Sequence, residues 1–339
     1  MGLFLSKYSR FERTLPDVSG KVFAITGTTS GTGFVAAKTV ARHGGEVILL
    51  NRPSTRSVAS LEKLQTEVPN GKFVAIDCDL MDMSSVRKAA QEIKSKYTKL
   101  YCLSNNAGIM ATPDEITKDG FDKQMQTNHL SHFLLTRELL PLLKASVKDC
   151  GDARVVQHSS IARDGTKDNL LKEEYLSKQL KDGQLGGDDE DAGAVFTGPK
   201  WERYCQTKLA NSVFCQALHK KLSESKDETT KGIRSLCAHP GVSQTNLGDH
   251  LDKGKSLFIK SFLWVWFNLF NQSVEDGSMG LIKCMVEPSA QSGVLYGPSG
   301  VGLYGWAVAL PTKDHEKDPM AQELLWKKSE EAIDAKFKL

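Results

Sequence analysis

From residue 19 onward, short runs rich in β-branched and apolar residues alternate with longer stretches whose apolar positions recur every three to four residues. A short continuous apolar run suits a strand buried on both faces, and the longer period suits a helix with one apolar stripe. Their alternation predicts an α/β fold, a doubly wound parallel sheet with helices on both faces. Strands are predicted over 21–26, 46–50, 72–76, 100–104, 154–158 and 233–238, with a seventh over 293–296. Helices are predicted over 32–43, 57–67, 83–97, 121–146 and 203–223, and Pro141 is placed to kink the fourth or to start a new turn. The expected organisation is an N-terminal segment, 1–18, followed by one domain over 19–339.

Two stretches break the rhythm. Residues 161–200 contain Gly183, Gly186 and Gly187, then Asp188-Asp189-Glu190-Asp191, an acidic, glycine-bearing insertion expected to form a mobile surface loop or lid. Residues 257–270, LFIKSFLWVWFNLF, are apolar on nearly all sides. At 14 residues the run is too short to span a bilayer and suits a buried or interfacial helix.

Composition narrows the classes. The chain has 339 residues, 40% hydrophobic and 25% charged, as expected of a globular protein with a sizeable core. A formal net charge of +3 is too small to argue for a nucleic-acid partner. Seven scattered cysteines form no Cys-x-x-Cys pair and no His/Cys cluster, so no metal site is expected and reduced cytoplasmic thiols are. The start, Met1-Gly2-Leu3-Phe4-Leu5-Ser6, fits N-myristoylation at Gly2, and Lys7, Arg10 and Arg13 supply the basic second signal that one acyl chain needs. The alternatives are a peripheral protein on a cytosolic membrane face and a frayed terminus with a chance match.

Three motifs carry chemistry. The first strand runs into Thr26-Gly27-Thr28-Thr29-Ser30-Gly31-Thr32-Gly33 and then a helix. Glycines so placed permit a tight turn and close backbone approach to a pyrophosphate, while the helix N-terminus offers unpaired N–H groups. Candidate contacts are Gly27, Thr29, Ser30, Gly31, Thr32 and Gly33. At the end of the second strand, the acidic residue that would select NAD is absent. Asn51-Arg52, with Arg56 close behind, stands there instead. A guanidinium pairs with a 2′-phosphate, so NADP(H) is the expected cofactor; the plain alternative is a surface arginine on a solvated loop. In Tyr204-Cys205-Gln206-Thr207-Lys208, a tyrosine and a lysine four apart share one helix face. Free tyrosine holds its proton until about pH 10, and a nearby ammonium is expected to bring that value down. Taken alone, the pair is an ordinary solvated helix face.

Read with Asn105-Asn106-Ala107-Gly108, Asn128, Ser159-Ser160 and Pro240-Gly241, these motifs resemble, in order, the classical short-chain dehydrogenase/reductase family over about 19–335. HPGVSQTNL at 239–247, YCQTKLAN at 204–211 and LLWKKSEEAI at 324–333 resemble its retinol dehydrogenase and protochlorophyllide reductase branch. The resemblance implies a Rossmann-type fold and an NADP-dependent oxidoreductase interconverting a carbonyl and an alcohol. It implies that Tyr204 is the general acid, that Lys208 lowers its pKa and holds the nicotinamide ribose, and that Ser160 hydrogen-bonds the reacting oxygen. Asn128 would complete a proton relay through water to Lys208. Asp79 and Leu80 match the adenine position, and Asn105, Ala107 and Gly108 the turn lining the cofactor pocket. Pro240, Gly241, Val242 and Thr245 match the loop over the nicotinamide, with Thr245 as carboxamide contact, as an N-cap, or as both.

The chain departs from that pattern in two places. Ser160 and Tyr204 lie 44 positions apart, a long insertion more like the protochlorophyllide reductases. Yet Val242 stands where those enzymes carry a cysteine, and Cys205 is not at that position, which argues against a photochemical ene-reductase. Residues 257–270 fall where the family builds the cap over its substrate pocket. Trp264, Trp266, Phe258, Phe262, Phe267 and Phe270 there imply a bulky apolar small-molecule substrate; a core helix, a homo-oligomer interface or a membrane-surface helix fits the same composition. Two alternatives to a carbonyl reductase stand: the ene-reductase, and a catalytically idle NADP-binding interaction protein.

Overall fold

The structure, a computed structural model, describes residues 7–186, 197–242 and 272–339. Strands β1 (Val22–Thr26), β2 (Glu46–Asn51), β3 (Lys72–Asp77), β4 (Cys102–Asn105), β5 (Ala153–His158), β6 (Ile233–Ala238), β7 (Leu295–Gly300) and β8 (Tyr304–Leu310) form one sheet, in the order β3-β2-β1-β4-β5-β6-β7-β8. The strands from β1 to β7 run parallel, and runs such as Phe23-Ala24-Ile25 are fully buried because helices cover both faces. The eighth strand, antiparallel to β7, is an addition to the seven expected. Gly297, Pro298, Gly300, Gly302 and Gly305 interrupt the apolar pattern across this hairpin, and Tyr304, Trp306 and Val308 stay exposed at the sheet edge.

Helices α1 (Lys7–Glu12), α2 (Gly31–Arg42), α3 (Thr55–Glu67) and α7 (Val274–Val286) cover one face. Helices α4 (Met83–Lys96), α5 (Ser131–Cys150), α6 (Pro199–Ser223) and α8 (Pro319–Ala332) cover the other. On that second face the Phe133 ring lies 5.1 Å from Phe214 and 5.2 Å from both Trp326 and Phe337, which locks α5, α6 and the C-terminal residues together. Part of the N-terminal segment is docked: Tyr8 and Phe11 of α1 are buried, and the Tyr8 N–H donates to Asp276 Oδ1 at 2.9 Å.

The long helix expected over 121–146 is divided. A turn at Lys123–Met125 leads into a π-helical turn, Gln126–Leu130, and α5 follows it and continues through Pro141. The described part of the 161–200 insertion is packed: Leu171, Tyr175 and Leu176 are buried. Its backbone is tied to 114–120, with Gln179 N–H donating to Gly120 O at 2.8 Å and Leu185 and Gly186 N–H donating to Asp114 Oδ2 at 2.6 and 2.8 Å. The acidic run at 188–191, the 257–270 segment, Thr245 and Gly2 lie outside the described residues. Among the described residues no helix is long and apolar enough to cross a membrane, and no group of three or more His, Cys, Asp or Glu side chains is placed to hold a metal ion.

The strand order reverses between β1 and β4, and a crevice opens at the C-terminal ends of these strands. Both halves of the candidate site lie there.

Candidate active site

The first half is the turn between β1 and α2. Gly27 (φ +72°) and Gly31 (φ +61°) take the left-handed conformation that favours glycine. A Cβ at Gly27 would stand 2.8 Å from Ala107, and one at Gly33 would collide with the Gly27 carbonyl and the Asn106 amide. Ser30 caps α2 in extended geometry but makes no side-chain cap bond, so its side chain does not occupy the first amides of the helix. That is an anion-binding arrangement. Asn51 at the end of β2 accepts the Thr28 N–H at 2.8 Å and donates to the Thr28 hydroxyl at 2.7 Å. Arg56 Nη2 reaches Ser30 Oγ at 3.3 Å, and Arg52 is exposed. Asp79 Oδ1 accepts the Met81 N–H at 2.9 Å, while Leu80 is buried with its carbonyl held by Ser131.

Asn106, quoted within its motif but passed over as a site residue, is the joint between elements. Its amide nitrogen donates to the carbonyls of Thr26 (2.9 Å) and Gly27 (3.2 Å), and its oxygen accepts from Thr32 Oγ1 (2.8 Å) and His158 Nδ1 (2.7 Å). Asn105 instead donates to Thr136 at 3.0 Å and faces the fold.

The second half gathers around α6. Tyr204 and Lys208 are 6% and 5% exposed, so the solvated helix face is excluded. Lys208 Nζ lies 5.6 Å from the Tyr204 ring centre and donates to His158 O at 3.1 Å. Burial pushes the lysine down to about 8. Tyr204 corrects the expectation: burial raises its phenol well above 10, and the hydrogen bond from the Ser160 hydroxyl offsets this only in part. The two neighbouring serines separate cleanly. Ser159 Oγ donates to Lys208 O at 2.7 Å and accepts from Ser212 at 3.0 Å, fastening α6 to β5, whereas Ser160 faces Tyr204.

Asn128 sits in the π-helical turn, a widening often found at functional sites. Its Oδ1 accepts the Ile109 N–H at 2.8 Å, and its Nδ2 donates to Ile109 O and Thr207 Oγ1, both at 2.9 Å. The side chain is therefore committed to the loop after β4. A Cβ on Gly108 would stand 3.2 Å from Asn128 Oδ1 and 3.4 Å from Lys208 Nζ, so glycine leaves room for both.

The loop after β6 is pinned from the β7–β8 hairpin and from Gln272, just before α7. Val242 N–H donates to Leu303 O at 2.9 Å, Gln272 Nε2 donates to Pro240 O at 2.6 Å, and Gly241 (φ +67°) donates its N–H to His239 Nδ1 at 3.1 Å. A charged residue unmarked in the sequence lies beside the tyrosine. Arg203 is fully buried, donates to Asp122 Oδ2 at 2.9 Å and holds the carbonyls of Pro113 and Thr112. The sequence signal is faint, since Asp122 stands 81 positions away.

An open helix N-terminus at a strand switch point, facing a Tyr–Lys–Ser cluster, suits a dinucleotide whose phosphates lie at Gly27–Gly33 and whose reactive end lies near Tyr204. The residues present fit that group. A family model described as short chain dehydrogenase matches residues 21–170. An uncharacterised oxidoreductase of Schizosaccharomyces pombe is 37% identical over 235 residues, 69% of this chain and 63% of that protein, less than two thirds of its length. Retinol dehydrogenase 12 of Bos taurus is 31% identical over 272 residues (80% of this chain, 75% of that protein), and polyprenol dehydrogenase of Homo sapiens 30% over 320 (94% and 86%). The crystal structure of an uncharacterised protein from Mycobacterium paratuberculosis, 28% identical, superposes with a TM-score of 0.72 over 97% of this chain and 98% of that one. The chain belongs to the short-chain dehydrogenase/reductase family, near the retinol dehydrogenase branch, and its fold is one that binds NAD(P)(H).

Four buried histidines around this site make an acid-sensitive fold. Burial holds His129 and His239 at about 3 and His132 at about 4, and pushes His158 well below 6.5. The unfolded chain takes up these protons near 6.5 while the folded chain does not, so stability is full above 6.5 and falls as pH drops towards 4. The expected slope is about 1.4 kcal/mol per pH unit for each histidine. Urea midpoints measured between pH 7 and pH 5 check this, and a flat midpoint across that window refutes it.

Proposed function

We propose that this protein is an NADPH-dependent carbonyl reductase acting on a bulky apolar substrate. The observation that carries this reading is the burial of Tyr204 beside the Lys208 ammonium, whose Nζ lies 5.6 Å from the phenol ring centre, with Ser160 facing the same phenol. Bound NADPH supplies the hydride that the carbonyl carbon receives. Ser160 donates to the carbonyl oxygen, where negative charge develops, and Tyr204 gives that oxygen its proton. A phenol raised by burial stays protonated at neutral pH, the form a proton donor needs. Lys208, at about 8, is still mostly charged at pH 7 and is placed to hold the nicotinamide ribose. Asn128 acts by fixing Gly108 and Ile109 against Lys208, a narrower role than a water relay.

Two exposed guanidinia follow β2, at Arg52 and Arg56, and Arg56 reaches Ser30; they support NADP over NAD. Two relatives named for retinol and polyprenol, both apolar alcohols, support the substrate class, as does the aromatic content of 257–270. Helix α1 turns Tyr8 and Phe11 inward and leaves Arg10 exposed, with Arg13 exposed just beyond it, which supports membrane-surface attachment through an acylated Gly2.

Tyr204→Phe is expected to lower kcat/KM by about 10²- to 10⁴-fold with NADPH binding retained, measured by NADPH consumption on apolar aldehydes and ketones. Full turnover by that variant removes the reading. Arg52→Asp should shift the NADPH-over-NADH preference by at least about tenfold, the size of one lost charge-assisted contact; an unchanged ratio assigns the choice elsewhere. Gly2→Ala should abolish partition to anionic vesicles after expression with an acyltransferase, and unchanged partition rules out the acyl anchor.

A further inference from the structure

Ser160 is held from the far end of the chain. It opens a 3₁₀ turn over Ile161–Asp164. Its carbonyl oxygen accepts from the Arg163 backbone N–H at 3.2 Å and from Arg163 Nη1 at 3.0 Å. The same guanidinium donates through Nε to Glu316 Oε1 at 2.8 Å. The other oxygen of Glu316 accepts the Lys313 N–H at 2.7 Å, in the short turn Asp314–Lys317. The two paired side chains are 5% and 1% exposed. Asp164 lies alongside, 3.7 Å from Arg163 Nη2, 2.8 Å from Lys313 Nζ and 3.3 Å from His315 Nε2.

A buried ion pair is a poor device for stability alone, because desolvating both charges consumes most of what their attraction returns. Its use here is directional. The planar guanidinium points Nε at Glu316 and Nη1 at the Ser160 carbonyl in one rigid fork, which a lysine or an apolar pair cannot do. A shift of that carbonyl re-aims the Ser160 side chain, whose Oγ accepts the Ala162 N–H at 3.2 Å in the same turn and faces Tyr204.

We propose that Arg163 and Glu316 form a positioning pair that sets the Ser160 hydroxyl against Tyr204, so that segment 313–317 governs catalysis without touching the substrate. This rests on Ser160 and Tyr204 being the reacting groups. A misplacement on the order of 1 Å costs up to about a hundredfold in rate. Glu316→Gln and Arg163→Met are therefore expected to lower kcat about ten- to a hundredfold. Their dissociation constants for NADPH should stay within about twofold, since the phosphate turn shares no partner with them.

The deciding measurement is a double-mutant cycle. In a Ser160→Ala background, Arg163→Met should cost less than about twofold more, because an effect exerted through Ser160 has no remaining target. Multiplicative losses in the double variant, or full kcat in Glu316→Gln, overturn the proposal. If Arg163→Met does not fold, Glu316→Gln carries the cycle, since it keeps the side-chain shape and the acceptor for the Lys313 N–H. Tyr204→Phe is run in parallel. If it retains turnover, the reductase reading itself fails; if it is inactive while both single variants keep kcat, only the positioning role fails.

Discussion

One hydroxyl at the end of β1 holds the two halves of the site in register. Thr26 Oγ1 accepts the backbone N–H groups of Asn106 and Ala107, each at 3.0 Å, and donates to His132 Nε2 at 2.9 Å. The donor assignment follows from the other side of the ring, where His132 Nδ1 faces the Asn128 carbonyl at 3.0 Å and supplies the proton there. Thr26 thus ties the glycine turn, the loop after β4 and the π-helical turn at a single atom. Thr26, Asn106, Asn128 and His132 are fully or nearly fully buried, so water cannot substitute for a lost partner among them and the geometry is held by the cost of leaving one unpaired. Parallel strands open a crevice wherever their order reverses, but only such a pin fixes its width.

The electrostatics of the second half follow from the same dryness. Desolvation acts on Tyr204 and Lys208 in opposite directions along the pH scale and in the same direction chemically, since it favours the neutral form of each. A lysine four residues away is therefore not enough to make a tyrosine acidic when both are buried. The Ser160 hydroxyl acts against part of that burial effect on the phenol, so its orientation counts beside the helix spacing.

What was legible in the sequence was local. The glycine turn, the paired serines and the Tyr204-to-Lys208 interval are set by backbone conformation and helix period, and the structure brings all of them to one crevice. β8 was hidden because Gly305 interrupts its own alternation and the glycines at 297, 300 and 302 break up the strand and turn before it. The charged pairs were hidden for another reason. Arg163, Arg203, Asp122 and Glu316 look like surface residues in a one-dimensional pattern, and their burial depends on partners 81 and 153 positions away. Asn106 was hidden in plain view, because its motif marks a turn without saying which of two adjacent amides faces inward.

Asp122 shows how such a long-range partner reaches the chemistry. One of its oxygens accepts the Met125 N–H at 2.8 Å and starts the turn that leads to Asn128; the other holds Arg203, the residue before Tyr204. Burial pushes this carboxyl up from its ordinary value against the pull of the Arg203 guanidinium, a sign that the pair sits where water does not compensate. Asp114, 4.0 Å from the same guanidinium, grips the insertion backbone at Leu185 and Gly186. The insertion runs into Pro199, the first residue of α6. Its anchoring and the placement of Tyr204 on that helix are consequently one mechanical problem. A loop that reads as a tolerated surface excursion is, at its base, part of the frame that aims the tyrosine.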